Sequence, residues 1–168
     1  ERTGIAAMKF DVSDFEKTKE AISQIEADFG PVDVLVNNAG GSPPMEAASA
    51  PPKLSEAIIR LNLLGPLFCA QAAYAAICDT AGTGSIISIA SVSATRPSPG
   101  TAAYGAAKAG LVNLTQSLSM EWAPKVLHSL HILHSSLFSI FLMVEKSIRK
   151  PISTAIFRYI SRIKKRSS

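Results

Sequence analysis

The apolar positions of this chain change period several times, and each change predicts an element. Ile5-Ala6-Ala7-Met8-Lys9-Phe10 is a short, mostly apolar run that predicts a strand ending at Asp11-Val12. Ser13 or Asp14 can N-cap a helix over roughly 14–29, with apolar positions at Phe15, Ala21, Ile22, Ile25 and Phe29. Gly30-Pro31 stops it. Val32-Asp33-Val34-Leu35-Val36 is nearly continuous in apolar residues, the pattern of a strand buried on both faces. Asn37-Asn38-Ala39-Gly40-Gly41 follows at its C-terminal end, and the proline-rich stretch 42–52 reads as a loop. A long apolar helix is predicted over 53–78, its pattern interrupted at Gly65-Pro66. Ser85-Ile86-Ile87-Ser88-Ile89-Ala90 predicts a third strand, 91–100 a loop and 101–122 another helix. Strands alternating with helices imply an α/β fold with a parallel sheet and right-handed crossovers.

Composition divides this picture in two. With 168 residues, 47% apolar and 18% charged, the chain is long enough for one globular core. Residues 1–125 hold nine Lys/Arg against twelve Asp/Glu, whereas 126–168 hold eight against one, Glu145. All ten glycines lie at or before Gly110, and all three histidines lie after Lys125. We therefore expect a domain over 1–125 and a divergent basic tail over 126–168, foreign to the domain before it. The tail begins with nineteen mostly apolar residues, Val126–Val144, a length that suits a bilayer span but for three His and four Ser. Residues 147–166 are basic, with Ile148, Ile152, Ile156, Ile160 and Ile163 at helical spacing, as in a membrane-surface helix. The blander reading is a replacement segment, partly helical or poorly ordered. His128, His131 and His134 recur every third residue, but no acid or cysteine joins them, so no metal site is expected. Lys164-Lys165-Arg166 has no nucleic-acid-binding motif around it. Cys69 and Cys78 lack metal spacing and read as reduced packing residues of a cytoplasmic protein. The start, Glu1-Arg2-Thr3-Gly4, has no apolar signal region and is expected to lie inside a longer protein.

Chemistry enters at Tyr104-Gly105-Ala106-Ala107-Lys108. Positions i and i+4 share a helix face, which sets an ammonium beside a phenol. A nearby cation favours the phenolate and draws its pKa from about 10 towards neutrality. Such a tyrosine can exchange a proton with a substrate oxygen near pH 7. Ser91 lies thirteen residues earlier, after the third strand, and Asn62 lies in the long helix. Singly, each residue also fits a plainer role: a packing tyrosine, a solvated lysine, a turn serine, a satisfied buried amide.

The ordered set of Asn37-Asn38-Ala39-Gly40, Asn62, Ser91 and Tyr104-x-x-x-Lys108 resembles the short-chain dehydrogenase/reductase family over about residues 5–125. The resemblance implies a truncated Rossmann-like, doubly wound parallel sheet: three recognisable strands with flanking helices, then the divergent helical or disordered tail. It implies Tyr104 as the general acid/base, Lys108 as the group that tunes it and binds the nicotinamide ribose, and Ser91 as the residue that polarises the substrate carbonyl. Asn62 would anchor a relay water. Asp11 and Val12 match positions that meet the adenine, and Asn37, Asn38, Ala39 and Gly40 match the turn lining the cofactor cleft. The implied cofactor is NAD or NADP, and the implied reaction is hydride transfer between a hydroxyl and a carbonyl on a small molecule. The family's glycine-rich phosphate turn, Thr-Gly-x-x-x-Gly-x-Gly after a first strand, has no counterpart; Gly82-Thr83-Gly84 precedes a strand instead. The family strand order, 3-2-1-4-5-6-7, then leads us to expect the strand at 5–10 to pair directly with that at 32–36. The enzyme reading carries an impaired cofactor site. The alternatives are a non-catalytic fragment that docks on an intact relative, or on a second copy, through the helices at 53–78 and 101–123, and membrane association through the tail.

Overall fold

The computed structural model describes residues 7–79, 84–123, 126–133 and 140–143. Helix α1, Phe15–Phe29, starts where the sequence supplies a cap: the Asp14 side chain accepts from the Lys17 N–H at 3.2 Å. It stops at Gly30, whose φ of 90° is open to glycine and whose N–H reaches the Glu26 carbonyl. Thr18, Ala21 and Ile22 form its buried face. Strand β1 is Val34–Asn37. Helix α2, Pro52–Ile59, runs through a π-helical turn at Arg60–Leu64 into α3, Gly65–Asp79. The irregularity therefore precedes Gly65-Pro66 by one turn and does not break the helix. By length and composition the run from Pro52 to Cys78 would also suit a membrane span. Here it is the central core helix, with Ile58, Cys69, Ala70, Ala73, Ala76 and Ile77 buried.

Strand β2, Gly84–Ser91, pairs parallel with β1 from Val34↔Ser85 to Asn37↔Ser88. A 3-10 turn, Val92–Ala94, and the loop after it lead to α4, Ala102–Trp122. Strand β3, Val126–Leu133, pairs parallel with β2 along its whole length, and β4, Ile140–Met143, adds an antiparallel strand beyond it. The sheet order is β1-β2-β3-β4. Helices α3 and α4 meet over β2 in one core: Ala70, Ala73 and Ile77 of α3, Ile86 of β2 and Leu118 of α4. Tyr74 and Trp122 stack at its rim with ring centroids 4.3 Å apart.

The α/β, Rossmann-like class holds. Two finer expectations are corrected. Residues 7–10 form no strand, and no described strand pairs with the outer edge of β1. The segment is anchored elsewhere: its turn at Asp11–Asp14 leads straight into α1, and Val12 packs on Gly65 at the start of α3. The tail is not helical where it is described. The segment following α4 closes a β-α-β unit on the open side of β2, the default outcome for a strand–helix–strand crossover. The basic run 147–166 and its proposed membrane contact lie outside the described residues.

Gly84 is where β2 must come close. A Cβ there would collide with the Ile77 side chain and lie 2.7 Å from the Asp33 carbonyl oxygen, which accepts from the next residue's N–H. Gly84→Ala should destabilise the chain by about 2 kcal/mol, as overpacking does. The urea midpoint reads this; an unchanged midpoint would mean that β2 has slack at its start.

Candidate active site

The parallel strands bring their C-terminal ends to one edge of the sheet, where open α/β folds bind ligands. The loop after β1 carries Asn38, Ala39, Gly40 and Gly41, and β2 ends at Ser91. Asn37, the last residue of β1, is buried and donates through Nδ2 to the Pro66 carbonyl at 3.1 Å. This ties the strand end to the start of α3.

Asn62 occupies the π-helical turn and is fully buried. Its Oδ1 accepts from the Gly41 N–H at 2.9 Å. Its Nδ2 donates to the Gly41 carbonyl at 2.8 Å and to the Ile58 carbonyl at 2.9 Å. The amide thus clasps both backbone groups of Gly41. A Cβ on Gly40 would lie 2.6 Å from Asn62 Oδ1 and 3.5 Å from Lys108 Nζ, so the turn needs a glycine for the sake of the protein itself. Pro66 has no N–H to give to the carbonyl four residues back, which is that of Asn62.

Helix α4 carries Tyr104 and Lys108. Two glycines let it approach its neighbours. A Cβ at Gly105 would sit 3.1 Å from the Ser93 carbonyl oxygen, and one at Gly110 3.0 Å from Leu63 Cδ2. The first contact holds Tyr104 against the 3-10 turn that Ser91 opens, and the second holds α4 against the turn that carries Asn62. Ser91 Oγ accepts from the Ser93 N–H at 3.2 Å, which leaves its own O–H proton to donate. Lys108 is only 4% exposed. Its Nζ donates to the Ile89 carbonyl at 2.7 Å and lies 5.7 Å from the centroid of the Tyr104 ring. Burial lowers its pKa below the ordinary value.

Asn62, Gly40, Tyr104 and Lys108 therefore form one cluster, and the 3-10 turn that follows Ser91 packs on α4 at Gly105. Asp11 and Val12 stand apart from it, at the turn before α1. The Asp11 carboxylate accepts from the Ser13 N–H and Oγ at 2.9 and 2.7 Å, and these bonds lower its pKa. Asn38 and Ala39 are exposed. Sequence reasoning missed Gly41, Gly105, Gly110 and the Ile89 carbonyl as parts of the site. Gly105 and Gly110 offered a signal, since both fall inside the predicted helix, where glycine costs stability unless something needs the space. Among the described residues no group of His, Cys, Asp and Glu is arranged to hold a metal.

The family model described as short chain dehydrogenase matches residues 1–132. An acetoacetyl-CoA reductase of Shinella zoogloeoides is 39% identical over 123 residues, covering 73% of this chain and 51% of the relative. Nodulation protein G of Azospirillum brasilense is 41% identical over 115 residues, covering 68% and 46%. Among solved structures, a gluconate 5-dehydrogenase from Burkholderia cenocepacia, in complex with NADP and tartrate, superposes with a TM-score of 0.67 at 34% identity, covering 70% of this chain and 46% of that one. The chain spans about half the length of the relatives it matches.

Two expected outcomes follow from the geometry. Asn62→Leu leaves both backbone groups of Gly41 and the Ile58 carbonyl without their partner, so it should cost about 3 kcal/mol. It should also speed amide exchange at Gly41; equal stability and unchanged exchange would mean that the clasp does not form in solution. For Lys108, the unfolded chain titrates near 10.5 and the folded chain lower. Between those values the unfolded state holds more protons, so stability rises with pH across that window. Urea unfolding of the wild type should therefore improve relative to Lys108→Met between neutral pH and about pH 10. A gap that stays constant would place the ammonium in water.

Proposed function

The chain belongs to the short-chain dehydrogenase family, and we propose that its site serves NAD(P)-dependent interconversion of a hydroxyl and a carbonyl. The observation that carries this reading is Lys108: a buried ammonium beside the Tyr104 ring and the Gly40 turn, at the ligand-binding edge of a parallel sheet. A bound nicotinamide would supply or accept the hydride. The chain's own residues handle the proton and the alignment. Tyr104 gives a proton to the carbonyl oxygen in reduction or removes one from the hydroxyl in oxidation. Lys108 stabilises the phenolate and, with donors beyond the one spent on Ile89, holds the nicotinamide ribose. Ser91 donates to the substrate oxygen. Asn62 fixes the Gly40–Gly41 turn against which the cofactor lies, and anchors the relay water.

The residues fit the nicotinamide end better than the phosphate end. Among the described residues no glycine-rich turn opens a helix at this edge, and Asp11 already spends its carboxylate on Ser13. The adenine contacts of Asp11 and Val12 therefore join this reading as its weakest part, and the chain by itself is impaired in cofactor binding. Matched relatives bear names that include acetoacetyl-CoA and gluconate, so the substrate class carried over is a hydroxyl/carbonyl pair and no narrower. Cys69 and Cys78 are free thiols, and burial pushes the Cys69 thiol up to about 11, in keeping with a packing role in the cytoplasm. Pairing with a second copy or an intact relative through 53–78 and 101–123 is part of the same proposal. Met120, 83% exposed near the end of α4, lies on that surface.

Isothermal titration of the full chain with NADH and NADPH tests the reading. We expect no saturable binding in the micromolar range. Micromolar binding with turnover that Tyr104→Phe abolishes would restore full enzyme status and remove the impairment.

A further inference from the structure

We propose that residues 41–45 form a pinned, apolar wall of the substrate cleft, one that favours a ketone or alcohol with apolar arms over a hydroxylated one, and that Gly100 is the positioning residue that holds this wall. The inference rests on the hydroxyl/carbonyl reading above and narrows its substrate class. The strip is fastened at both ends. At one end the Asn62 amide holds both backbone groups of Gly41. At the other, the Met45 N–H donates to the Gly100 carbonyl at 2.8 Å. Gly100 has a φ of 74°, a conformation open to glycine, and so turns that carbonyl towards the loop after β1. Between the two pins lie Pro43 and Pro44, whose rings fix φ.

The pins bracket the stretch of α4 that carries Tyr104. Gly100 precedes Tyr104 by one turn, and the other pin follows Gly40, whose Cβ position is 3.5 Å from Lys108 Nζ. Four extended steps of chain span about 12 Å, and the rise along α4 from Gly100 to Lys108 is about the same, which leaves the strip little slack. Its surface chemistry is apolar. Residues 41–45 include no charged side chain, and their one hydroxyl, Ser42 Oγ, donates to the Pro43 carbonyl at 2.9 Å. Neighbouring hydroxyls are spent in the same way. Ser49 Oγ donates to the Glu46 carbonyl at 3.2 Å, Thr95 Oγ1 to the Val92 carbonyl at 3.2 Å and Thr101 Oγ1 to the Ser98 carbonyl at 2.9 Å. A hydroxyl has one proton to give, so these four have none for a substrate. A polar arm laid against Pro43, Pro44 and Met45 loses water and meets no donor, whereas an alkyl arm gains from the same burial. Met45 is 39% exposed, so its side chain is open to such an arm.

The full chain, isotope-labelled for amide NMR, is titrated without nucleotide against diethyl ketone and against dihydroxyacetone, two ketones with equal numbers of heavy atoms. The amides of Gly41, Ser42, Met45 and Gly100 should shift saturably with diethyl ketone, and dihydroxyacetone should bind about tenfold more weakly. Met45→Pro, which removes the N–H of the second pin, should erase that preference. Met45→Leu keeps the backbone bond and should preserve it. Circular dichroism and the urea midpoint report whether each variant folds, and Gly100→Ala, strained at this φ, repeats the test from the acceptor side should Met45→Pro not fold. Three results overturn the proposal: no saturable shift at these amides, dihydroxyacetone bound as tightly as diethyl ketone, or a preference that survives loss of the pin. Nucleotide plays no part in this readout. A missing preference would remove the wall and leave the hydride reaction standing, which the titration with NADH and NADPH and the Tyr104→Phe variant judge separately.

Discussion

The site depends on one buried amide. Asn62 lies inside a helix, where its side chain would ordinarily cost stability, and it has no exposure to water. Its three hydrogen bonds make the position tolerable, and two of them hold the loop after β1 rather than the helix itself. The widened π-helical turn around Asn62 directs the amide across to Gly41. With that loop fixed, Gly40 can lie against Asn62 at a distance that excludes any Cβ, with the Lys108 ammonium at ordinary contact range. Helix α4 then closes on the same turn through Gly110 and Leu63. Loosening the amide would loosen the floor on which Lys108 and Tyr104 are set.

How much of this was legible follows from where each constraint originates. Helix α1 could be read because its cap, apolar face and stop are all local: Asp14, Thr18 to Ile22, Gly30. Tyr104 and Lys108 could be read because the i,i+4 relation is a property of one helix. The reason for Gly105 and Gly110 could not, since the atoms that demand them, the Ser93 carbonyl and the Leu63 side chain, arrive from other elements. The segment 5–10 carries the composition of a strand, yet 7–10 is not one, because a strand needs a neighbour and its turn is held at Gly65 instead. In the tail, length misled: a nineteen-residue apolar run suggested helix, whereas β2 offered an open edge that a strand satisfies at once.

β1 marks the limit of such reading. The run Val32–Val36 states that both faces of the strand are meant for burial. The structure covers one of them. Sequence pattern records the environment to which a segment is suited; it does not say whether the same polypeptide supplies it.

Lys108 poses the corresponding problem for charge. Among the described residues no carboxylate pairs with it, and burial is the one cause that shifts its titration. A carbonyl oxygen and the face of a tyrosine ring compensate a cation only in part, so holding the ammonium there works against folding. Each unit of depression in its pKa corresponds to about 1.4 kcal/mol of differential interaction. The same burial strengthens any attraction to a negative charge that forms nearby, because little water screens it. In the reaction proposed above, a Tyr104 phenolate is such a charge: it forms as the tyrosine gives its proton to a carbonyl oxygen and is consumed as it takes one from a hydroxyl. Under that proposal the lysine is a liability in the resting fold and an asset at the moment of proton transfer. An acidic neighbour would relieve the first and remove the second.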